Sequence, residues 1–447
     1  MAQEASRGHS CPTYLTCVGD DRARSSSART PRRSPMPGLL KDAWQKDVDE
    51  VSNRSYFGVD LILYLVLICL AFWRHVCPWR PKRKWLEHLN YCNILYALLI
   101  GLLVSLLDSL VRAIVKEFRA PQNVNIPMLV ILIAVPLANI VTMVLSVKQT
   151  RAHINAMRED DAISRHDRAL QIIALPPVYG LMAMCALMKL YHQVTNDLEG
   201  EAQGIVIARY ETCIFVGDLY EAWALYQFGT LTFELLDATF TERQLLMSPP
   251  GRTGTGGSTR DVTLTFQAVS SLAWLGTWLF VVVCILQAGW SEWLWTFHDP
   301  AQDWTKYLAE LKKFSYAGLI ASGAAVYNVH TIESTFGHLI EGYSPLLKFL
   351  SVKLLVFFAF WQLKVLLVLK TVGILRLPEL QIKMLHAALL VFECFGSAVL
   401  HVKAWNATEV WYKADSDTEH VKATEEGAHD EKVTNDERRP LLHKRSR

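Results

Sequence analysis

Three acidic residues interrupt an apolar stretch of this chain that is long enough to cross a lipid bilayer. Residues 205–236 contain Glu211, Asp218 and Glu221 among hydrophobic and aromatic side chains. An ionised carboxylate that faces lipid costs several kcal/mol, so such residues are expected to face a bundle interior or a water-filled cavity. At about 100° per residue, the three fall within roughly one quarter of the helix circumference. The sequence therefore predicts an acidic stripe at membrane depth.

This acidic stripe has two interpretations, and the sequence leaves both open. Carboxylates beside the aromatic residues of the same stretch can line a path for an amphipathic solute or pair with a cation. Alternatively they are structural, with Arg209 pairing with Glu211, or Asp218 bonded to a hydroxyl group. Under the first interpretation, the candidate path residues are Glu211, Asp218, Tyr220, Glu221 and Tyr226.

A second candidate set lies in the apolar stretch at 314–336. Tyr327, His330 and Glu333 recur at three-residue spacing, so a helix carries them on one face. A histidine and a carboxylate one turn apart can relay a proton or hold polar groups of a substrate. The alternative is that Glu333 only keeps His330 oriented within a helix contact.

Two further charged residues, Lys353 and Glu393, lie inside later apolar stretches. Ser344 followed by Pro345 is typical of a helix start, which places Lys353 two turns into the span that follows. From there its ammonium group can reach the cytosolic interface or neutralise an acid on another helix. Glu393 needs an internal partner, and Lys353 is one candidate.

Composition and motifs argue against an enzyme and against a nucleic-acid-binding protein. The chain has 447 residues, of which 51% are hydrophobic, and its net charge is only +2. The nine cysteines are scattered, with no Cys/His spacing typical of a metal site. Neither a Gly-x-Ser-x-Gly nucleophile elbow nor a His-Glu-x-x-His sequence is present. We therefore expect no catalytic residue, no metal site and no cofactor.

Nine apolar stretches of about 20 residues or more predict an all-α polytopic membrane protein. They run from 56 to 76, 91–115, 127–147, 169–190, 205–236, 262–288, 314–336, 346–370 and 380–402. The polar, Ser/Arg/Pro-rich segment 1–55 cannot bury enough apolar area to fold alone and is expected to be a disordered tail. The remainder divides into a transmembrane hairpin (56–115), a seven-helix core (116–405) and a disordered cytosolic tail (406–447).

Loop charge predicts the orientation of these spans. The loops after spans one, three, five and seven carry 12 Lys and Arg residues, against six in the loops after spans two, four, six and eight. Basic loops stay in the cytosol, so the first set is assigned there. The C-terminus is then cytosolic and the N-terminus is not, although the basic N-terminal tail opposes this assignment.

A short motif in the C-terminal tail bears on localisation. Glu437 lies four residues before the pair Leu441-Leu442, an arrangement similar to dileucine signals for endosomal or vacuolar sorting. It predicts a multi-pass protein of the plasma membrane or of an endosomal or vacuolar membrane. It also supports the alternative function, a seven-helix membrane protein that does not transport but acts in trafficking or signalling.

Three motifs in order resemble the organic solute transporter alpha-subunit and transmembrane protein 184 family. The resemblance extends over about 127–412, and His153 also fits the family pattern. The motifs are Leu175-Pro-Pro-Val-Tyr-Gly180, Asp218-Leu-Tyr-Glu-Ala-Trp-Ala-Leu-Tyr-Gln-Phe228 and Tyr343-Ser-Pro-Leu-Leu-Lys-Phe349, the last continuing through Val352-Lys353 to Phe360-Trp361-Gln362. The resemblance implies seven helices, an outside N-terminus and a cytosolic C-terminus.

The same resemblance implies a function. Alpha-subunits of this kind move amphipathic anions such as bile acids and conjugated steroids by facilitated diffusion, alongside a single-span beta-subunit. We therefore expect a facilitative carrier of steroid, bile-acid-like or lipid-like solutes, in contact with membrane lipid and with either such a subunit or further copies of itself. The sequence departs from the family motif at one position that bears on the substrate: Gly217 stands where the motif has Arg.

Overall fold

The computed structural model describes residues 59–76, 91–119, 126–159, 163–194, 201–247, 257–297, 309–310, 312–336, 343 and 345–412. All of them belong to one compact unit, Ser55–Arg447. Within these ranges the regular structure is entirely helical, which confirms the predicted all-α class. The predicted tails, including Glu437, Leu441 and Leu442, lie outside the described residues apart from 406–412.

Within the described ranges ten α-helices follow one another, and each predicted span coincides with a helix or a pair of helices. They are α1 (Val59–Val76), α2 (Tyr91–Arg119), α3 (Ile126–Glu159), α4 (Ile163–Ile173), α5 (Leu175–Val194), α6 (Glu201–Met247), α7 (Gly257–Phe297), α8 (Ser315–Phe336), α9 (Pro345–Thr371) and α10 (Glu379–Ala404). Two short 3-10 helices, Lys312–Phe314 and Val410–Tyr412, accompany them. The Ser-Pro signal is confirmed, since α9 begins at Pro345.

The fourth predicted span is interrupted between α4 and α5. Pro176 and Pro177 have no N–H to donate to the carbonyl groups of α4, so the regular hydrogen-bond pattern cannot continue through them. Two backbone bonds bridge the junction: the Ala174 N–H donates to the Leu170 carbonyl at 3.3 Å, and the Val178 N–H donates to the Ala174 carbonyl at 3.2 Å. The fourth predicted span therefore consists of two consecutive helices, α4 and α5.

Five of the described stretches are long and apolar enough to cross a membrane. They are Cys92–Val115, Leu129–Met157, Arg165–Tyr191, Trp274–Leu294 and Glu379–Ala404. α6 is outside this set, and the carboxylates and tyrosines inside it lower its hydropathy. The full number of crossings, seven for the core and nine for the chain, stays a prediction.

α5 occupies the centre of the bundle. It contacts α2, α3, α4, α6 and α10, and every residue from Ala169 to Tyr191 is buried. Gly180 permits this close approach, because a Cβ atom there would lie 3.0 Å from Asn139 Oδ1 and 3.4 Å from Cys394 Cβ. The elements that surround α5 are therefore the ones able to position a buried polar site.

α8 lies at the periphery and packs mainly on α7. Small residues allow polar side chains to fit between the two helices: the Cβ atom of an alanine at Gly276 would lie 2.0 Å from Asn328 Nδ2, and one at Gly318 would lie 2.8 Å from Gln287 Oε1. The opposite face of α8 exposes Ile320 and Tyr327. α2 is also peripheral on one side, where Arg112 and Asp108 form an exposed ion pair at 2.6 Å.

Candidate functional site

The acidic residues of α6 differ in whether a cation accompanies them. Near the start of the helix, Glu211 Oε1 accepts a 3.3 Å contact from Lys383 Nζ of α10. Towards its end, Glu234 pairs with Arg168 of α4. Between these two ion pairs lie Asp218 and Glu221, and no cation among the described residues is paired with either of them.

The environment of Glu211 is a small polar contact between α6 and α10. Lys383 Nζ lies 5.0 Å from the centre of the Tyr210 ring, and Tyr210 Oη lies 2.5 Å from His386 Nδ1. Cation–π attraction adds to the ion pair here. The cation recorded beside Glu211 thus comes from a helix distant in sequence, whereas the structural interpretation named its neighbour Arg209.

Asp218 is held by a tyrosine of the central helix. Tyr179 Oη donates to Asp218 Oδ1 at 2.9 Å, and Tyr179 is fully buried whereas Asp218 is only partly buried. The next residue back, Gly217, makes room for the ring, because a Cβ atom at 217 would lie 3.0 Å from two of its carbons. The structure therefore matches the alternative in which Asp218 accepts a bond from a hydroxyl group.

Glu221 lies one turn further along α6 and is 4% exposed. No hydrogen bond or ion pair joins its carboxylate to another described residue. Glu221 is therefore a buried carboxylate without a described partner.

Tyr220 and Tyr226, the aromatic members of the predicted path, have different surroundings. Tyr220 is 1% exposed and donates to the Gln171 carbonyl at 2.9 Å, which ties α6 to α4. Tyr226 is partly buried among indole rings, with centroid distances of 5.5 Å to Trp223, 5.1 Å to Trp274 and 5.6 Å to Trp278. This aromatic cluster occupies the contact between α6 and α7.

The predicted set on α8 is separated from these residues. Tyr327 is 69% exposed and His330 is also exposed, so both lie on the outer face of α8. The His330 ring approaches the Phe349 ring of α9 with a centroid distance of 6.5 Å. The side chain of Glu333 lies outside the described residues, so its relay with His330 stays a prediction.

Glu393 of α10 finds its described partner on α9. Gln362 Nε2 donates to Glu393 Oε1 at 2.5 Å, while Glu393 Oε2 is buried without a hydrogen bond. The side chain of Lys353, the candidate partner from the sequence, is outside the described residues. Within the described part of the chain, no group of three or more His, Cys, Asp or Glu side chains is arranged to hold a metal ion.

A further polar cluster, which sequence reasoning did not find, surrounds Lys348 at the start of α9. Its ammonium group donates to Glu409 Oε2 and to the Tyr343 carbonyl, both at 2.6 Å. The rings of Tyr343, Trp411 and Trp405 lie 4.6, 5.3 and 5.7 Å from the nitrogen. In the sequence, the motif Tyr343–Phe349 contains Lys348 but does not indicate which residues contact it.

A histidine pair joins this cluster from the end of α3. His153 Nδ1 lies 3.0 Å from His166 Nδ1, and His153 Nε2 lies 3.0 Å from the Trp405 carbonyl. A carbonyl only accepts, so Nε2 of a neutral His153 carries its proton, and Nδ1 then accepts from His166. Gln149 donates to the same carbonyl at 2.8 Å, so α3 holds the chain that leaves α10.

Comparison with known proteins identifies the family. The family model for organic solute transporter Ostalpha matches residues 130–410, which is well over half of the chain. The chain belongs to the organic solute transporter Ostalpha family. Neither the curated proteins nor the solved structures give a significant match.

The region matched to Ostalpha begins inside α3 and ends at the second 3-10 helix. It therefore contains the acidic residues of α6, the Lys348 cluster apart from Trp411, and all of the helices from α4 to α10. α1 and α2 lie outside it, and the division into a hairpin and a core stays a prediction. As an Ostalpha family member with several apolar helices, the protein is a multi-pass membrane protein.

Proposed function

We propose that this protein is a facilitative membrane transporter of amphipathic organic solutes of the steroid, bile-acid or lipid type. Membership of the Ostalpha family supports a solute transporter rather than an enzyme. The family resemblance makes anionic solutes of this type the reference substrates. The observation that carries the proposal is the pair Asp218 and Glu221, halfway along α6 and without a described cation.

An unpaired carboxylate inside a membrane protein is costly, and residues of this kind are usually retained for function. Glu211 and Glu234, which lie on either side of this pair in α6, show that the bundle can supply cations to carboxylates. Asp218 is only partly buried although it lies well inside the helix. These features support a polar position on a solute path.

Three of the remaining candidate residues extend this path. Glu211 and Glu393 contribute carboxylates from α6 and α10, and Tyr226 contributes its aromatic cluster. Lys353 and the set Tyr327, His330 and Glu333 belong to the outer helices α8 and α9. We place the protein in the plasma membrane or in an endosomal or vacuolar membrane, with the C-terminus in the cytosol and with a single-span beta-subunit or further copies of the chain as partner.

The test is flux into proteoliposomes that contain the purified full-length protein. Labelled steroid sulfates, bile acids and fatty-acid conjugates should enter faster than into protein-free vesicles, and Glu221→Gln should reduce that flux while leaving the amount of inserted protein unchanged. Glu379→Gln, at an exposed position at the start of α10, is the matched control. Loss of folded protein in Glu221→Gln would indicate a structural role, and absence of flux for every solute would favour the trafficking or signalling alternative.

A further inference from the structure

We infer that one exposed face of α2 is the contact surface between two copies of this chain, related by a two-fold axis along the membrane normal. This surface, called the α2 outer face below, is defined by five exposed residues: Ala97, Gly101, Ser105, Asp108 and Arg112. Of the two kinds of partner proposed above, the inference selects a further copy of the chain and names the face that binds it. It does not depend on which solute is transported.

An exposed ion pair inside an apolar span is the first observation. Cys92–Val115 of α2 is long and apolar enough to cross a membrane, yet the side chains of Arg112 and Asp108 are 70% and 63% exposed. Asp108 lies seven residues before Val115, which is about 10 Å along a helix. Charged side chains within a membrane span almost always face protein or water rather than lipid. The exposed side of α2 at this depth is therefore expected to face another protein helix.

The guanidinium group of Arg112 is directed into the span and not towards the nearer membrane surface. Its Nη2 atom lies 2.6 Å from Asp108 Oδ2, and Asp108 is one turn closer to the middle of the span. Long basic side chains near the end of a span usually extend outwards to the headgroup layer. Here the carboxylate keeps the guanidinium group beside the apolar segment, so both charges remain on the α2 outer face.

The neighbouring helix α3 shows what a lipid-facing side looks like in this protein. Its polar residues Asn139, Thr142 and Ser146 are buried. In the described stretch 130–147, every exposed residue is large and aliphatic: Val130, Ile133, Leu137, Val141 and Val144. α2 differs, because small and charged residues lie among its exposed aliphatic ones. This difference between two adjacent helices favours a protein contact on α2 and lipid on α3.

The small residues of the α2 outer face allow a second helix to approach closely. Ala97, Gly101 and Ser105 recur at four-residue spacing, which is the arrangement found where membrane helices pack tightly. A Cβ atom at Gly101 would meet no described atom within 4 Å, so the space above this glycine is open within one copy. The β-branched residues Ile100 and Val104 lie beside the small ones and lose little rotamer freedom when they are covered.

Charge complementarity selects a second copy as the occupant. All copies insert with the same orientation, so a two-fold axis along the membrane normal places α2 against α2 with the same residues on both sides. A guanidinium group carries five N–H donors, so Arg112 can bind its own Asp108 and the partner's Asp108 together. A helix with only large aliphatic residues would be held away from Gly101 and would leave both charges without a polar contact.

The first experiment measures the dimer in a membrane. The full-length protein, purified without any other protein and labelled, is reconstituted in liposomes, and the dimer fraction is counted by single-molecule photobleaching at increasing protein density. Wild-type protein should form dimers, and Gly101→Leu should raise the dimer dissociation constant by about tenfold or more. Gly396→Leu is the matched control and should leave the dimer unchanged, since Gly396 is also an exposed helical glycine whose Cβ atom would meet no described atom within 4 Å.

A second experiment tests the charges and does not depend on the glycine variant. Arg112→Asp gives an outer face with two acids, and Asp108→Arg gives one with two bases, so neither variant should pair with itself. When the two variants carry different dyes and are mixed, they should form mixed dimers, because each supplies the charge that the other lacks. Recovery of pairing in the mixture also shows that both variants are folded.

The outcomes separate this inference from the proposed function. Wild-type protein that stays monomeric at every density overturns the inference. Dimers that persist in Gly101→Leu and in both charge variants place the contact on another face and overturn it as well. If Ala97→Cys in native membranes cross-links to a smaller single-span chain and not to a second copy, the choice of occupant is wrong. None of these measurements uses solute flux, so the transport proposal is decided by its own test.

Discussion

Lys348 donates to Glu409, 61 positions later in the chain, and the two ends of this ion pair differ in exposure. The lysine side chain is fully buried, whereas that of Glu409 is 22% exposed. Removing one member of a buried pair leaves the other charge without compensation. The pair therefore fastens the segment after α10 to the start of α9, with its positive end out of reach of water.

Glu409→Gln should consequently destabilise the protein. The expected loss is at most about 3–5 kcal/mol, the usual range for a fully buried pair, because water reaches the glutamate end. Glu310→Gln is the matched control, since the Lys313–Glu310 pair has a 58% exposed lysine, and exposed pairs contribute only about 0–1 kcal/mol. The measurement is the Tm of the purified protein in detergent, and equal Tm losses in the two variants would contradict the assignment.

Gly217→Ala should lower stability and disturb Asp218. The added methyl group would meet the Tyr179 ring at 3.0 Å, and overpacking of this kind costs about 1–3 kcal/mol. Gly229 on the same helix has no atom within 4 Å of such a Cβ, so Gly229→Ala should raise stability by about 0.5–1 kcal/mol. Thermal unfolding of the two variants side by side checks the opposite signs, and a gain in Gly217→Ala would refute the contact.

The α7–α8 interface allows a double-mutant test. Gly276→Ala places a methyl group 2.0 Å from Asn328 Nδ2, so the amide must move and we expect a cost of about 1–3 kcal/mol. In an Asn328→Ala background the obstacle is gone, and the effect of Gly276→Ala should largely disappear. Gly323→Ala, which meets no atom within 4 Å, is the control. Additive effects of the two substitutions would rule out direct contact.

Gln362→Leu should destabilise the contact between α9 and α10. It removes the donor to Glu393 Oε1 while Oε2 already lacks a hydrogen bond, and an unsatisfied buried acceptor costs about 1–3 kcal/mol. Replacing Glu393 by Leu in the same variant should recover most of the loss. Thr371→Val, at an exposed position of α9, serves as control in the same unfolding assay. Failure of the double variant to recover would indicate that packing, not the acceptor, is responsible.

The helices were predictable from sequence because each depends on local apolar length. The start of α9 at Pro345 and the coincidence of α10 with residues 380–402 follow from such local signals. The partners were not predictable, because the periodicity of one helix specifies a face but not the residue that meets it. Glu211 and Lys383 are 172 positions apart, and only the packing of both α6 and α10 on α5 brings them together.

The polar candidate residues also show that a sequence pattern does not specify the partner of a side chain. Tyr220 belongs to the predicted stripe by spacing, yet its hydroxyl group is used by the Gln171 carbonyl. In the sequence, Lys348 is only one residue of a motif. Its burial depends on residues that follow α10 and contact it because α10 packs along α9: Trp405, Glu409 and Trp411. A charge pattern along one helix thus identified the acidic pair but not the cluster built from three separate segments.

The burial of α5 from Leu175 to Tyr191 has a consequence for how the protein is made. A membrane helix is first inserted among lipids and afterwards associates with its neighbours. Around α5, protein contacts must then replace lipid contacts on every face, because no residue from Ala169 to Tyr191 remains exposed. In α2 and α8, protein contacts replace lipid contacts on one side only. Enclosure of α5 by α2, α3, α6 and α10 is therefore the assembly step after which the newly synthesised chain can no longer rearrange freely in the bilayer.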